Sequence, residues 1–193
     1  NYLAVNSMAT LCSHMNINRF IYTSSCSVYG SNEESNILLK EDSVLNPISH
    51  YARIKTMTEK ALFSQSNTLF SPTILRLATV CGPSFRHRFD LVVNTFARNA
   101  FFNKEINVHG GDQSRPNVHV NDVADAIIKV INSPLEKVDK QIFKVGKNLT
   151  AAGGTGFDFY FCQKERTLYP LRKTWRRLFS ITSVSSCPIS SKQ

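Results

Sequence analysis

The sequence predicts an α/β fold built around a mainly parallel sheet. Short apolar segments rich in β-branched and aromatic residues alternate with segments of helical spacing, at the intervals expected of βαβ units. The 193 residues are 42% hydrophobic and 19% charged, a composition typical of one packed domain rather than of a disordered chain. No apolar stretch reaches the roughly 18 residues of a membrane-spanning helix, so we expect no membrane partner.

The first elements follow from local spacing. Residues 1–15 predict a helix with Asn1 as its N-cap, because its apolar residues recur at steps of three and four and so share one face. The members of that face are Ala4, Met8, Leu11, Cys12 and Met15. A buried strand is predicted at Phe20–Tyr22, running into Thr23–Ser25. After a polar loop, helical spacing returns over residues 49–65.

The alternation continues to about Lys147. The second helix has its apolar face at Ile54, Met57 and Ala61. Further strands are predicted at Pro72–Ala78, Ile106–His109, Val118–Val120 and Gln141–Val145, and further helices at Asp90–Ala100 and Asp122–Ile131. Clear periodicity is then lost. We therefore expect a packed domain over residues 1–147 and a divergent, poorly ordered basic tail over 148–193.

Charge and cysteine usage narrow the class of protein. Residues 1–147 carry 16 Lys and Arg against 12 Asp and Glu, and residues 148–193 carry 7 against 2. The packed part is therefore not expected to bind nucleic acid, and a salt-dependent polyanion binder with its contacts in the tail ranks last among the functions considered. The five cysteines form no CxxC pair or Cys/His cluster, which predicts free thiols, no metal site and a cytoplasmic location.

Tyr51 and Lys55 are the most informative local pair. They lie four residues apart on a predicted helix and therefore face the same way. A phenol is a poor base at neutral pH, but a nearby ammonium favours the phenolate, which can remove a hydroxyl proton. By itself this spacing is more common on a surface helix whose Tyr and Lys are unrelated, so the context has to decide.

Four segments supply that context, in order along the chain: Arg19–Gly30 (RFIYTSSCSVYG), Tyr51–Lys55 (YARIK), Leu75–Pro83 (LRLATVCGP) and Arg115–Asp122 (RPNVHVND). Together they resemble the extended short-chain dehydrogenase/reductases, in the NAD-dependent sugar-nucleotide epimerase/dehydratase branch, with UDP-glucose 4-epimerases as the nearest type. The resemblance covers residues 1–147. It implies a partial Rossmann-like, doubly wound parallel sheet that lacks its first strands, followed by the start of a small substrate domain.

The resemblance also implies roles for single residues. Ser25 would hydrogen-bond the reacting sugar hydroxyl, Tyr51 would be the acid/base, and Lys55 would hold the nicotinamide ribose. The implied cofactor contacts are Ser24, Ser25, Tyr51, Lys55 and Ala78. The implied substrate contacts are Ser25, Thr79, Leu91, Ile106, Val108 and Arg115, with Arg115 on the diphosphate. The implied cofactor is NAD, with NADP left open, the substrate is a nucleotide sugar, and a complete protein would form a homodimer.

Two departures keep alternatives open. Dehydratases of this branch place Asp-Glu directly after the active-site Ser or Thr, whereas this chain has Cys26 and Ser27, which favours an epimerase or a simple dehydrogenase/reductase. The family's Gly-rich cofactor turn would precede Asn1, and Gly153–Gly156 is a poor substitute for it. Enzymatic activity of the chain by itself is therefore left open, and a non-catalytic remnant that acts as a binding protein remains an alternative.

Overall fold

The computed structural model describes residues 1–30, 39–107 and 114–150, with the backbone alone at 114–115 and 147–150. Its helices are α1 (Tyr2–His14), α2 (His50–Gln65), α3 (Val92–Phe102), α4 (Val120–Asn132) and α5 (Leu135–Val138). Its strands are β1 (Arg19–Ser25), β2 (Ser71–Leu77), β3 (Thr79–Cys81), β4 (Ser114–His119), β5 (Ile142–Val145) and β6 (Lys147–Thr150). In the described part of the chain, no helix is long and apolar enough to cross a membrane.

A three-stranded parallel sheet forms the centre of the fold, in the order β1-β2-β5. The central strand β2 is buried from Ser71 to Arg76, as expected of a parallel strand covered on both faces. Its register with β1 pairs Thr23 with Leu75, Ser24 with Arg76 and Ser25 with Leu77. The α/β class with a parallel sheet, predicted from the sequence, is confirmed.

Helices cover both faces of this sheet. On one face, Ala9 of α1 and Leu62 of α2 pack with Tyr22, Phe70 and Ile74. On the other, α4 and α5 pack on Leu75 and Val145; their core residues are Val123, Ala126, Val130 and Val138. Alternate residues of β2 thus point into two separate apolar clusters, which is the layering of a doubly wound fold.

A second, mixed sheet continues from the first. β3 pairs parallel with β4, and β4 pairs antiparallel with β6. The separate strands β3 and β6 were not predicted, and β6 begins at the predicted domain boundary, Lys147. That boundary stays a prediction, because the tail beyond Thr150 lies outside the described residues.

The sides of α1 and α2 that pack against the core are not centred on the apolar faces predicted from the sequence. Of the five residues predicted to share one face of the first helix, Cys12 packs against the core, Ala4 is exposed, and Met8, Leu11 and Met15 are all more than half exposed. The core contact of α1 is made by Ala9 with Val5 and Cys12. On α2, Met57 is 54% exposed, and Ile54 and Ala61 are half-buried. The buried side of this helix carries the polar residues Thr56, Thr58 and Glu59 together with Ala52 and Leu62.

Smaller differences occur at element ends. The helix predicted to start at Asp122 is α4, which starts two residues earlier, at Val120. The cause is its N-cap: the ring nitrogen Nδ1 of His119 accepts a hydrogen bond from the backbone N–H of Asn121 at 3.2 Å. Of the strand predicted at 106–109, Ile106 and Asn107 lie in irregular backbone, and the rest lies outside the described residues.

Candidate active site

Ser25 is the last residue of β1, at the carboxyl end of the parallel sheet. Its Oγ accepts a hydrogen bond from the backbone N–H of Ser27 at 3.2 Å, which starts a short 3-10 turn over Cys26–Tyr29. Gly30 ends that turn with a φ of 73°, a left-handed conformation that favours glycine. Ligand sites of open α/β sheets lie outside the carboxyl ends of the strands, so Ser25 stands where a site is expected.

α2 brings Tyr51 and Lys55 to the same edge. The Oγ of Ser49 caps the helix by accepting from the backbone N–H of Ala52 at 3.1 Å, which sets Tyr51 in the first turn. The Nζ of Lys55 lies 5.6 Å from the ring centroid of Tyr51 and donates to the main-chain oxygen of Thr23 at 2.7 Å. Tyr51 is half exposed and therefore open to a ligand.

Lys55 is further held by an aromatic ring of the strand. Its Nζ lies 4.6 Å from the ring centroid of Tyr22, within the range of a cation–π contact. Thr23 and Ser25 share one side of β1, because side chains alternate along a strand. Through the main-chain oxygen of Thr23, two residues before Ser25, the ammonium and the phenol of α2 are brought to the end of β1.

Ser24 faces the other way. Its side chain is buried, and its hydroxyl donates to Oε1 of Glu59 on α2 at 2.5 Å. The sequence assigned Ser24 to the cofactor, yet the hydroxyl is engaged in the interior. Because the hydroxyl is bound to Glu59, the predicted contact of Ser24 with the cofactor would have to be made by its main chain.

A buried ionic cluster lies behind the site, and sequence reasoning missed it. Glu59 and Arg76 form an ion pair of 2.7 Å with side chains only 4% and 3% exposed, and the Nη1 of Arg76 also donates to the hydroxyl of Tyr29 at 2.9 Å. Burial raises the pKa of Tyr29, against the hydrogen bond from Arg76. A glutamate four residues after Lys55 was the available signal, but its partner is remote in sequence.

Cys26 occupies the position at which a dehydratase of this type would carry a carboxylic acid. Its Sγ donates to the main-chain oxygen of Arg76 at 3.3 Å. Burial raises the pKa of this thiol to about 11, so it stays protonated at neutral pH. Neither Cys26 nor the adjacent Ser27 supplies a carboxylate there.

Ala78 and Thr79 continue from β2 at the same edge. The backbone N–H of Ala78 donates to the oxygen of Val145 at 2.9 Å, and Gly146 lies against it with a φ of 144°. A Cβ at Gly146 would lie 2.2 Å from the Cβ of Ala78, so only glycine fits without displacing this segment. Thr79, half-buried, starts β3 two residues after Leu77, the register partner of Ser25.

The remaining predicted substrate contacts are less closely defined. Leu91 precedes α3 and Ile106 follows it, both half-buried. Arg115 belongs to β4 by its backbone, whereas its side chain and Val108 lie outside the described residues. Their contacts with a substrate stay predictions.

Residues 1–146 match the NAD dependent epimerase/dehydratase family. The chain belongs to this family. Protein CapI of Staphylococcus aureus is 34% identical over 123 residues, which are 63% of this chain and 36% of CapI. The chain thus spans about a third of that relative's length.

Solved structures of the family share the fold. The UDP-N-acetylglucosamine 4-epimerase of Methanobrevibacter ruminantium M1, solved with UDP-N-acetylmuramic acid, gives a TM-score of 0.66 at 27% identity, over 78% of this chain and 49% of that one. TunA, an NAD dependent NDP-hexosamine 5,6-dehydratase of tunicamycin biosynthesis, gives 0.64 at 26% identity, over 76% and 48%. Epimerases and dehydratases both occur among these neighbours, and NAD is the family's cofactor.

The described residues fit one end of such a cofactor. A fixed ammonium, a half-exposed phenol and a strand-end hydroxyl are suitable partners for the nicotinamide ribose and for a reacting alcohol. In the parts of the chain that the structure describes, the glycines are Gly30, Gly82 and Gly146, and none belongs to a Gly-rich turn that could bind pyrophosphate. The fit therefore concerns the reacting end only.

Proposed function

We propose that this chain carries the catalytic end of an NAD-dependent enzyme that epimerises a nucleotide sugar through a keto-sugar. The observation that supports it most directly is the position of Lys55, whose Nζ lies 2.7 Å from the oxygen of Thr23 and 5.6 Å from the Tyr51 ring. This position of Lys55 places its ammonium beside the half-exposed phenol of Tyr51, at the carboxyl end of β1.

Each of the three residues has a defined task. NAD, when bound, supplies the hydride acceptor and donor that this chemistry needs. The Oη of Tyr51 accepts the proton of the reacting sugar hydroxyl and later returns it, while the Oγ of Ser25 hydrogen-bonds the same hydroxyl. The ammonium of Lys55 lies 5.6 Å from the ring centroid of Tyr51 and binds the nicotinamide ribose. The sugar carbon would give up a hydride as its hydroxyl proton goes to Tyr51, and would regain the hydride on its opposite face, which inverts the centre.

The substrate would be a nucleoside diphosphate sugar. Arg115 is assigned to the diphosphate, because a guanidinium matches phosphate oxygens with paired hydrogen bonds. Thr79, Leu91, Ile106 and Val108 are assigned to the sugar and the base. The main chains of Ser24 and Ala78 complete the cofactor contacts.

Epimerisation is favoured over 4,6-dehydration by the position after Ser25. Elimination of water needs a further acid and base, and Cys26 is a partly buried thiol whose pKa is raised to about 11 by desolvation. A simple nucleotide-sugar dehydrogenase or reductase needs no such pair and remains the second candidate.

The same proposal includes a homodimer and a cytoplasmic location. Leu3, Met8 and Leu11 of α1 are exposed apolar side chains, as is Met15 directly after the helix. The helix α2, which contacts α1, adds the exposed Met57. A second copy of this pair of helices would cover them. Cys12, Cys26 and Cys81 are free, as expected in a reducing compartment.

Two preparations test the proposal: the 193-residue chain as it stands, and the chain extended by whatever coding sequence its gene places before Asn1. We expect the extended protein to interconvert UDP-glucose and UDP-galactose, or another pair of C4 epimers, when followed by NMR. Tyr51→Phe should lower its turnover by about 10²–10⁴-fold. Full activity of the extended protein with Tyr51→Phe would overturn the assignment of Tyr51 as the base. Micromolar NAD binding by the 193-residue chain would contradict the alternative that this chain is a non-catalytic remnant.

A further inference from the structure

Glu59 lies between two residues that are register partners on neighbouring strands. Ser24 of β1 pairs with Arg76 of β2, and the side chains of both reach the same carboxylate. The hydroxyl of Ser24 donates to Oε1 of Glu59 at 2.5 Å, and the Nη2 of Arg76 donates to Oε2 at 2.7 Å. All three side chains are buried, so this carboxylate touches neither solvent nor a ligand.

Two hydrogen bonds, one helical turn apart, join α2 to the end of β1. Lys55 and Glu59 are spaced four residues apart and share a side of the helix. Lys55 binds the oxygen of Thr23, and Glu59 binds the hydroxyl of Ser24, the next residue along the strand. The oxygen of Thr23 belongs to the peptide group that links Thr23 to Ser24, so the position of Ser24 sets the direction of the acceptor that holds Lys55.

Arg76 makes this arrangement rigid. Besides Glu59 it binds the hydroxyl of Tyr29 and the main-chain oxygen of Glu41, each at 2.9 Å. Tyr29 ends the 3-10 turn that begins directly after Ser25. The guanidinium therefore connects the helix of Tyr51 and Lys55 with the turn that follows Ser25, through donors with fixed directions.

We propose that Ser24 and Glu59 are positioning residues for the candidate active site: their hydrogen bond orients the Thr23 carbonyl, which holds the Lys55 ammonium beside Tyr51. The proposal rests on the proposed function for its consequence, but its geometry is independent of cofactor and substrate. A purely structural role would stabilise the fold and leave the surroundings of the Tyr51 phenol unchanged once the protein is folded.

The test is an NMR spectrum of the 193-residue chain with its tyrosines isotope-labelled at Cζ, recorded at neutral pH. The resonance that disappears in Tyr51→Phe belongs to Tyr51, and Lys55→Met gives its position without the ammonium. We expect Ser24→Ala to move the Tyr51 resonance at least halfway from the wild-type position to the Lys55→Met position. Ser24→Thr, which keeps the hydroxyl, should restore the wild-type position.

Thr73→Val is the matched control. The Thr73 hydroxyl is also buried on a strand and donates to a remote main-chain oxygen, that of Val138, at 2.7 Å. Thr73→Val removes this hydrogen bond, which is similar to that of Ser24 but does not involve Lys55. It should therefore leave the Tyr51 resonance at the wild-type position. If Ser24→Ala does not fold, Glu59→Asp withdraws the carboxylate from Ser24 while keeping the charge beside Arg76, and it should give the same shift.

A folded Ser24→Ala or Glu59→Asp protein whose Tyr51 resonance stays at the wild-type position overturns the positioning role. A Thr73→Val protein with an equal shift does the same, because any lost hydrogen bond would then have that effect. Both results are independent of catalysis: an extended protein without epimerase activity counts against the proposed function, and an unmoved resonance in an active protein counts against the positioning role alone.

Discussion

Lys55 donates through Nζ to the main-chain oxygen of Thr23 at 2.7 Å, so the side chain of a helix is fixed to the end of a strand. A lysine has many rotamers, and an anchored one loses most of that freedom before any ligand arrives. The contact places a positive charge 5.6 Å from the ring centroid of Tyr51 without using that phenol as its partner. The site is thus arranged by the fold itself.

The buried pair of Glu59 and Arg76 should be costly to break. Arg76→Met leaves the carboxylate of Glu59 buried without its cation, and we expect the free energy of unfolding to fall by about 3–5 kcal/mol in urea titrations. Arg88→Met is the control, because Arg88 pairs with Asp90 at 2.5 Å on the surface, with both side chains more than 60% exposed. Equal effects of the two substitutions would contradict the importance of burial.

Cys26 should react slowly with iodoacetamide at neutral pH. Only the thiolate reacts, and burial raises the pKa of this thiol from 9.0 to about 11. Labelling followed by mass spectrometry should accelerate about tenfold per pH unit up to that value. Rapid labelling of the folded protein at pH near 7 would show that the thiol is not buried as described.

The same thiol should make stability depend on alkaline pH. Between about pH 9 and 11 the folded protein keeps the Cys26 proton while the unfolded chain releases it, so the unfolded state binds fewer protons and stability falls as pH rises. This contribution is fully present below pH 9. The slope of unfolding free energy against pH should be shallower in Cys26→Ala, by up to about 1.4 kcal/mol per pH unit. Identical slopes in the wild-type protein and in Cys26→Ala would contradict a raised pKa of Cys26 in the folded state.

Gly146→Ala should disturb the segment of Ala78. The new Cβ would lie 2.2 Å from the Cβ of Ala78, and the φ of 144° is strained for alanine. We expect a loss of about 1–3 kcal/mol in unfolding free energy, measured by urea denaturation. Ala78→Gly in the same protein removes the collision but not the backbone strain, so it should recover part of the loss. No recovery would mean that strain alone accounts for the effect.

The exposed apolar side of α1 should control association. Met8→Asp with Leu11→Asp places two charges on side chains that are 59% and 61% exposed. If these residues are covered by a second copy, sedimentation should change from a dimer to a monomer while circular dichroism stays the same. Phe101→Asp with Phe102→Asp is the matched control on α3, where the side chains are 69% and 72% exposed. Association lost only in that control would reject α1 as the interface.

Local patterns in the sequence predicted most of the elements and the reactive pair. β1, β2 and β5 were predicted because apolar runs bounded by polar residues are a property of the chain itself. Tyr51 and Lys55 were predicted together because a four-residue spacing has the same meaning on any helix. The position of Ser25 at a strand end follows from the same local reasoning.

The inward face of α1 could not be predicted in this way, since apolar residues lie on more than one side of it. Burial was decided by tertiary packing: Ala9 packs with Leu62 of α2 and with residues of the sheet, whereas the adjacent Met8 is 59% exposed. On α2, the polar Glu59 faces inward because its partners Ser24 and Arg76 lie in the interior, which no helical pattern reveals. The buried hydroxyl of Thr58 donates to the main-chain oxygen of Ile54, one turn back on the same helix.

The sequence by itself determined the α/β class, the family resemblance and the pair Tyr51 and Lys55, because each is built from short local patterns and their order along the chain. Only the tertiary structure decided that the Ser24 side chain faces inward to Glu59, and that Glu59 also binds Arg76, which is 17 residues away in the chain. The physical reason is strand register: pairing Ser24 with Arg76 places two donors on one buried carboxylate, and that pairing exists only after β1 and β2 have come together.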